Sequence, residues 1–321
     1  MKAMVLAAGQ GVRLRPLTLE RAKPAVPLLG KPLILHIVEK LRRLGIDAFR
    51  INLHTLPETV KHLFKLDPAK NSDVSFSYEN QILGTAGGLK VNESFFTEDT
   101  FMMVNGDIFF EFDINEVIDF HMKRRPLATL ALYPQKPPYQ HTPIQVDSNF
   151  KIHSFPRSLQ IVQKTGRVFV FTGVAILSSK IFNLIPPETF SEIVTDVYEP
   201  SIAKGLTICG YPVEGYWNDL GTPSRYLSTQ KDILASCKRT PTLTVLDRVI
   251  INKTSKIGPY VSISPGSIIE DRCEIRDSIL WEDCHVRHGS RIQHCIIGQG
   301  VSLQGDFENK IITCNGATIL E

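Results

Sequence analysis

The sequence predicts an α/β chain: a Rossmann-like mixed, mainly parallel sheet covered by helices, followed by a parallel β-helix. Three observations lead there. Residues 1 to about 235 alternate short apolar runs with amphipathic segments. That alternation implies a largely parallel sheet. After about residue 240 the aliphatic residues recur every six positions, a period no helix has. Between the first apolar run and the first amphipathic segment lies a glycine pair, Gly9 and Gly11, where an open sheet of this kind binds ligands at a strand's carboxyl end.

The elements of the first part follow in order. "KAMVLAAG" reads as a buried strand. In "PLILHIVEKLRRLG", Ile34, Ile37, Val38, Leu41 and Leu44 recur at helical spacing and Gly45 serves as the C-cap. "FRINLH" is the next strand and "TLPETVKHLFKL" the next helix. "VSFSYE", "FMMVNGD" and "LATLALYP" are further strands, with a helix from Asp113 to Lys123 between the last two. The cluster Lys123, Arg124, Arg125 falls at that helix's end, where cations suit the dipole.

In the second part, Val245, Ile251, Ile257, Ile263, Ile269 and Ile275 are spaced by six, and Leu280, Val286, Ile292, Ile297 and Leu303 continue at six or five. Each aliphatic residue points into a coil, and stacked coils bury one another. The polar, proline-containing "SCKRTPT", residues 236 to 242, reads as the linker, so the domains are 1–237 and 238–321. Because the repeat forms its own core, the first domain is expected to hold nucleotide without it.

Composition removes several classes of function. Of 321 residues, 43% are apolar, enough for a sizeable core, and 36 Lys and Arg against 33 Asp and Glu leave no bulk attraction to nucleic acid. No apolar stretch approaches a membrane span, and the first eight residues are too short for a signal peptide, so a cytosolic, cytoplasmic protein is expected. None of the six cysteines forms a CxxC pair. The even spacing of Cys273, Cys284 and Cys295 is no zinc signature, and they read as small core residues.

The loop "MVLAAGQGVRLRPLT" is neither of the two common phosphate loops. Gly9 and Gly11 match a dinucleotide loop, but Leu14 stands at its third glycine position, and no GK[ST] follows. Glycines let backbone N–H groups approach phosphate, while Arg13, Arg15 and Lys23 add cations. That set suits a triphosphate being cut.

The stretch "AAGQGVRLRPLTLERAKPAVPLLGKPLI" resembles the signature of the sugar-1-phosphate nucleotidylyltransferases: a GxGxRLxPLT loop, a KP motif and a KPxI opening the first helix. "LGTAGGL" is similar to that family's base-binding segment, "VNGDIFF" to its metal-binding aspartate strand, "FTGVAIL" to its NxGxY sugar segment with Phe171 or Thr172 in place of Asn, and "GYWNDLGTPSRYL" to its second aspartate motif. The repeat resembles the hexapeptide left-handed β-helix of the long members, particularly mannose-1-phosphate guanylyltransferases.

The resemblance implies that a nucleoside triphosphate and a sugar 1-phosphate give a nucleotide sugar and pyrophosphate, with GTP and mannose 1-phosphate or a related sugar as the best guess. Two polyanions must approach, so cations and a metal matter more than acid–base groups. On this reading Arg13 and Lys23 are catalytic: Arg13 holds the leaving pyrophosphate and Lys23 the α-phosphate. Ala8, Gly9, Gly11, Glu79, Gly84 and Thr85 bind the nucleotide, the last three around the base. Gly173 underlies the sugar, and Glu192 and Asp196 either reach its hydroxyls or form an exposed helix face. Asp107 and Asp219 hold Mg²⁺, each with a plainer reading, Asp107 as a turn residue and Asp219 as a helix N-cap. A homo-oligomer is the default expectation, with no nucleic acid or membrane partner.

On the sugar side the chain departs from the pattern. "KIHSFPRSLQ" lacks the Glu-Lys-Pro motif, and Arg157 stands as the replacement for its lysine. "HTPIQV" stands where Tyr-Gly is usual. These losses keep a second function open, a catalytically weak regulatory homologue that binds a nucleotide sugar. A third, acyl transfer by the β-helix with His285, His288 or His294 as base, is weaker, because no long acceptor loop interrupts the coils.

Overall fold

The computed structural model describes residues 1–65, 73–96, 99–135, 141–156, 167–187, 189–236, 243–245 and 248–320. By packing, the chain divides into two compact units: Met1–Gly9 with Ile37–Asn218, and Gln10–His36 with Asp219–Glu321. The second unit therefore joins the glycine-rich loop to the C-terminal repeat, a grouping that the linear division at 237 does not contain. Apart from Ser236, which ends a helix, the expected linker lies outside the described residues.

The first unit is built on a seven-stranded sheet. Its order is Ile208–Pro212, Ala128–Pro134, Phe169–Ser178, Thr100–Asn105, Lys2–Leu6, Ala48–Leu53, Val74–Tyr78. All neighbours run parallel except Phe169–Ser178, which is antiparallel to both of its partners. Strands buried on both faces read as continuous apolar runs. Ala3, Met4, Val5, Met102 and Val104 are accordingly buried. The expected helices are present as Leu33–Arg43, Pro57–Lys65 and Asn115–Arg124, and Gly45 takes φ 78° just beyond the first of them.

His121, on the helix Asn115–Arg124, is a core residue. Its Nδ1 lies 2.9 Å from the hydroxyl of Thr129, and burial pushes the imidazole down to about 4. No helix among the described residues is long and apolar enough to cross a membrane.

In the second unit the period-six residues build a parallel β-helix. Its strands form three stacks. Ile251 pairs with Ile269, Val286 and Leu303 in turn. Ile257 pairs with Ile275, Ile292 and Phe307, and Ile263 with Leu280, Ile297 and Ile312. Each hexapeptide thus supplies one side of a triangular coil. From Ile263 to Ile297 these inward residues are almost wholly buried. Cys273, Cys284 and Cys295 sit among them as core residues, and burial pushes the Cys284 thiol up to about 12. The side chain of Val245 lies outside the described residues.

Candidate functional site

The candidate residues are described within each unit. In the second unit the chain passes Gly11, whose φ of 62° is a conformation glycine adopts without cost. The carbonyl of Gly11 accepts the Thr18 hydroxyl at 2.8 Å and the Leu14 N–H at 2.9 Å, which folds residues 11–18 into a tight double turn. A Cβ at Gly11 would meet Thr18 Cγ2 at 2.9 Å and Lys23 Cβ at 3.2 Å, so Lys23 is packed directly against this turn. Lys23 is 8% exposed and opens a short 3-10 turn with Pro24. Arg13 and Arg15 stay exposed.

Asp219 lies in the same unit. Its carboxylate is ion-paired with Arg225 on the following helix, Pro223–Ser236. The N-cap role falls instead to Thr222, whose hydroxyl accepts the Arg225 N–H at 3.3 Å. A Cβ at Gly221 would stand 2.5 Å from Asp219 Oδ2 and 3.5 Å from Arg13 Nη2. A side chain at this position would stand in the space that the Asp219 carboxylate and the Arg13 guanidinium both border. An acid with its own arginine, a loop arginine and a buried lysine are thus gathered on one unit.

In the first unit Ala8 is buried and Gly9 exposed at the end of the strand Lys2–Leu6. Asp107 follows the neighbouring strand Thr100–Asn105, and the Gly106 N–H donates to the Leu6 carbonyl at 2.8 Å, which fixes the turn carrying Asp107 at the sheet's carboxyl edge. Ala7 N–H donates to Asn52 Oδ1 at 2.8 Å, and Asn52 Nδ2 donates to Glu79 Oε1 at 2.6 Å. The other Glu79 oxygen accepts the Leu83 N–H at 2.9 Å, and the residue is 5% exposed. Both oxygens of Glu79 are engaged by the protein. Through Asn52 it links the Ala7 amide to the Leu83 amide, just before the helix Gly84–Lys90.

That helix docks against residues 189–193. Gly84 has φ 73°, and a Cβ there would come 2.5 Å from the Ser191 carbonyl oxygen. Ala86 N–H donates to the same oxygen at 2.8 Å. Thr85 donates its hydroxyl to Glu192 Oε2 at 2.7 Å and accepts the Ile193 N–H at 2.7 Å. Asp196 accepts the Glu192 N–H at 2.7 Å and is exposed. Residues Ile193–Tyr198 form a π-helix, a rare geometry that is frequent at functional sites.

Thr85 and Glu192 line a cavity of about 480 Å³, a size suited to a small ligand. Its wall also includes Asn105, His141, Phe155 and Phe171. Thr85, expected at the base, thus shares a cavity with Glu192, expected at the sugar. Of the two candidates for the substituted Asn, Phe171 lines the cavity, while Thr172 donates its hydroxyl to the Ala131 carbonyl and accepts the Trp217 indole N–H on its own carbonyl, both within 2.9 Å. Gly173 abuts the Asn105 side chain. His141 and Phe155 come from the two stretches that depart from the family pattern, so the departures meet in this cavity. Arg157 lies outside the described residues.

Sequence reasoning missed Asn52, Asn105 and Arg225. Asn52 and Asn105 end or precede the ends of sheet strands, a position signal the motif search did not use. Arg225 stands two residues after Pro223 in the quoted aspartate motif and carried no signal of its own. The three β-helix histidines bridge coils: His285 contacts Glu270 at 2.7 Å, His288 Asp271 at 3.1 Å and His294 Asp277 at 2.8 Å.

Comparison with known proteins agrees with this architecture. Residues 2–236 match the family model described as nucleotidyl transferase, and residues 240–319 match the GMPPB C-terminal domain. A probable mannose-1-phosphate guanylyltransferase 3 of Oryza sativa is 26% identical over 94% of this chain and 85% of its own length. The mannose-1-phosphate guanylyltransferase of Mycobacterium tuberculosis is 25% identical over 94% and 81%. A UTP–glucose-1-phosphate uridylyltransferase of Synechocystis is 28% identical over 73% of this chain, which spans 64% of that relative. The crystal structure of HddC from Yersinia pseudotuberculosis complexed with GMP-PN shares the fold, with a TM-score of 0.61 over 72% of this chain and 98% of that one at 23% identity. With a model matched across most of its length, the chain belongs to the nucleotidyl transferase family.

Proposed function

We propose that this protein transfers a nucleotidyl group from a nucleoside triphosphate to a sugar 1-phosphate, giving a nucleotide sugar and pyrophosphate. The observation that carries the reading is the convergence of Arg13 and Asp219 at Gly221, on the same unit as the turn that packs Lys23 against Gly11. The rice and mycobacterial relatives, named as mannose-1-phosphate guanylyltransferases, support GTP and mannose 1-phosphate or a related sugar.

In this reaction a phosphate oxygen of the sugar attacks the α-phosphorus in line. The bond from the α-phosphorus to the oxygen bridging it to the β-phosphorus breaks, and its electron pair leaves on pyrophosphate. The attacker is already an anion, so no general base is needed. The barrier is electrostatic, and preorganised cations lower it. Lys23 would hold the α-phosphate and offset repulsion between the two substrates. Arg13, with the amides of the Gly9–Gly11 loop, would take the leaving pyrophosphate. Glu79 would brace the base segment through Leu83 and Asn52. In the sugar cavity Glu192, oriented by Thr85, would accept hydroxyl protons as hydrogen bonds.

Asp107 and Asp219 each offer hard carboxylate oxygens, the ligand type of Mg²⁺, which commonly takes one or two carboxylates and completes its shell with water and substrate phosphates. Held by such a carboxylate, the ion would offset charge on the phosphates. A cytosolic location and self-association belong to the same proposal.

A second reading has one observation in its favour. Phe155, 6% exposed, lines the sugar cavity in the stretch where the family pattern has a carboxylate and a lysine. A regulatory homologue would bind a nucleotide sugar there without turnover. One experiment separates the two: five nucleoside triphosphates against several sugar 1-phosphates, read by pyrophosphate release. Release with at least one pair supports the enzyme. Silence throughout, with a nucleotide sugar still binding, supports the regulator.

A further inference from the structure

We infer that Arg21 is a positioning residue for the transfer reaction: clamped by Glu282, Gln299 and Trp281, it holds the loop that carries Arg13 and Lys23. The hexapeptide coils then set the position of that loop. The inference rests on the roles proposed above for Arg13 and Lys23.

Arg21 stands two residues before Lys23. Its guanidinium makes a forked pair with Glu282, Nη1 to Oε1 at 3.1 Å and Nη2 to Oε2 at 2.8 Å. Nη2 also donates to Gln299 Oε1 at 2.8 Å, and the guanidinium lies 4.8 Å from the ring centroid of Trp281. The side chains of Arg21 and Glu282 are 13% and 23% exposed, which sets the pair apart from solvated surface pairs of little worth. A bidentate arginine–carboxylate pair fixes orientation as well as distance. Lysine cannot replace it, because an ammonium has no planar fork.

The clamp is not a single contact. Glu282 and Gln299 follow the strands Ile279–Leu280 and Ile296–Ile297, neighbours in one stack. The next strand of that stack, Lys310–Thr313, leads into Cys314, whose thiol donates to Glu20 Oε1 at 2.9 Å. Residues 20 and 21 are thus held by three successive coils along one edge. Downstream, Tyr226 donates its hydroxyl to the Pro27 carbonyl and accepts the Trp281 indole N–H. Lys23 lies between these anchors, in a turn too short to set its own position. None of the anchoring groups needs to touch substrate, and what they supply is the placement of Lys23 and Arg13.

The test uses the full-length protein and two independent readouts. Steady-state kinetics with the best pair from the substrate grid read catalysis. Hydrogen exchange of the amides from residue 12 to 27 reads the loop, whether or not the protein is an active enzyme. Arg21→Ala is expected to lower kcat/KM for the nucleotide at least 30-fold, to leave KM for the sugar phosphate within about twofold, and to speed exchange in the loop at least tenfold. Arg21→Lys should recover only a small part of the loss. The milder Glu282→Gln, which keeps the fold's shape, should move both readouts in the same direction if Arg21→Ala folds poorly. Wild-type kinetic constants in Arg21→Ala or Glu282→Gln, with or without a fall in Tm, would overturn the inference, as would unchanged exchange of residues 12 to 27. A wild-type protein that releases no pyrophosphate with any pair sinks the proposed function instead, and the exchange experiment still decides whether Arg21 holds the loop.

Discussion

Trp281 donates its indole N–H to the hydroxyl of Tyr226 at 3.1 Å, with both side chains fully buried. The same hydroxyl donates to the Pro27 carbonyl, and burial raises its pKa, so it remains a neutral hydroxyl that both gives and accepts. One oxygen therefore ties a β-helix coil to the helix Pro223–Ser236 and to the turn that follows Lys23.

Tyr226→Phe keeps the ring and removes that oxygen. It leaves the Trp281 N–H and the Pro27 carbonyl buried without it, at about 1–3 kcal/mol for each stranded group. We expect a loss of about 2 kcal/mol or more in urea unfolding. Trp281→Ala, which also opens a cavity, should cost about 3–5 kcal/mol. Unchanged midpoints in both variants would contradict the described packing.

Removing the repeat after Ser236 should not be neutral. The period-six pattern alone implied that the first domain holds nucleotide without the coils. The packing puts residues 10–36 in the coils' unit, with Arg21 on Glu282 and Tyr226 on Trp281. The shortened chain should keep the sheet of the first unit, visible by far-ultraviolet circular dichroism, and lose most nucleotide turnover. Full turnover in the shortened chain would restore the simpler division.

Asp107→Asn and Asp219→Asn should each lower kcat by about 100-fold or more, comparable to removing a transition-state electrostatic contact, while the protein stays folded. Excess chelator should abolish turnover and added Mg²⁺ should restore it. For Asp219 the Arg225 pair offers a check, since Arg225→Ala removes the partner and not the carboxylate, and should cost less activity than Asp219→Asn. Turnover that survives the chelator would remove the metal role from both aspartates.

Much of this was legible because it rests on periodicity. Residues such as Ile263, Ile269 and Ile275 announce inward positions of a coil by spacing alone, and the helix Leu33–Arg43 announces its buried face in the same way. What spacing cannot show is direction and partnership. The antiparallel strand Phe169–Ser178 has the same apolar composition as its parallel neighbours, since burial on both faces hides the sense of the chain. Glu79 matched a nucleotide-side position by its place before the Gly-Thr-Ala-Gly segment, but spacing gave no sign of its bond to Asn52, 27 residues earlier in the chain. Arg21 was invisible for the same reason, its partners being more than two hundred residues away.

Acid should destabilise the fold through His121. Burial lowers its folded-state value to about 4 from the ordinary 6.5. Below 6.5 the unfolded chain takes up a proton that the native chain refuses, so stability falls as pH drops from about 6.5 towards 4 and levels off below that. The full shift corresponds to about 3 kcal/mol at ~1.36 kcal/mol per unit. His121→Gln should flatten this part of the stability curve, whatever its effect at neutral pH. An identical pH dependence in the variant would show that another group carries it.

In the proposed reaction the α-phosphorus is the atom transferred. The most direct measurement follows label from GTP in the presence of mannose 1-phosphate and Mg²⁺, once with the label on the α-phosphate and once with it on the γ-phosphate. The α-label should appear in a nucleotide sugar and the γ-label only in pyrophosphate, in equal amounts and with no inorganic phosphate formed. Retention of both labels in the triphosphate with every nucleotide and sugar phosphate tried, or release of γ-label as inorganic phosphate, would rule this transfer out.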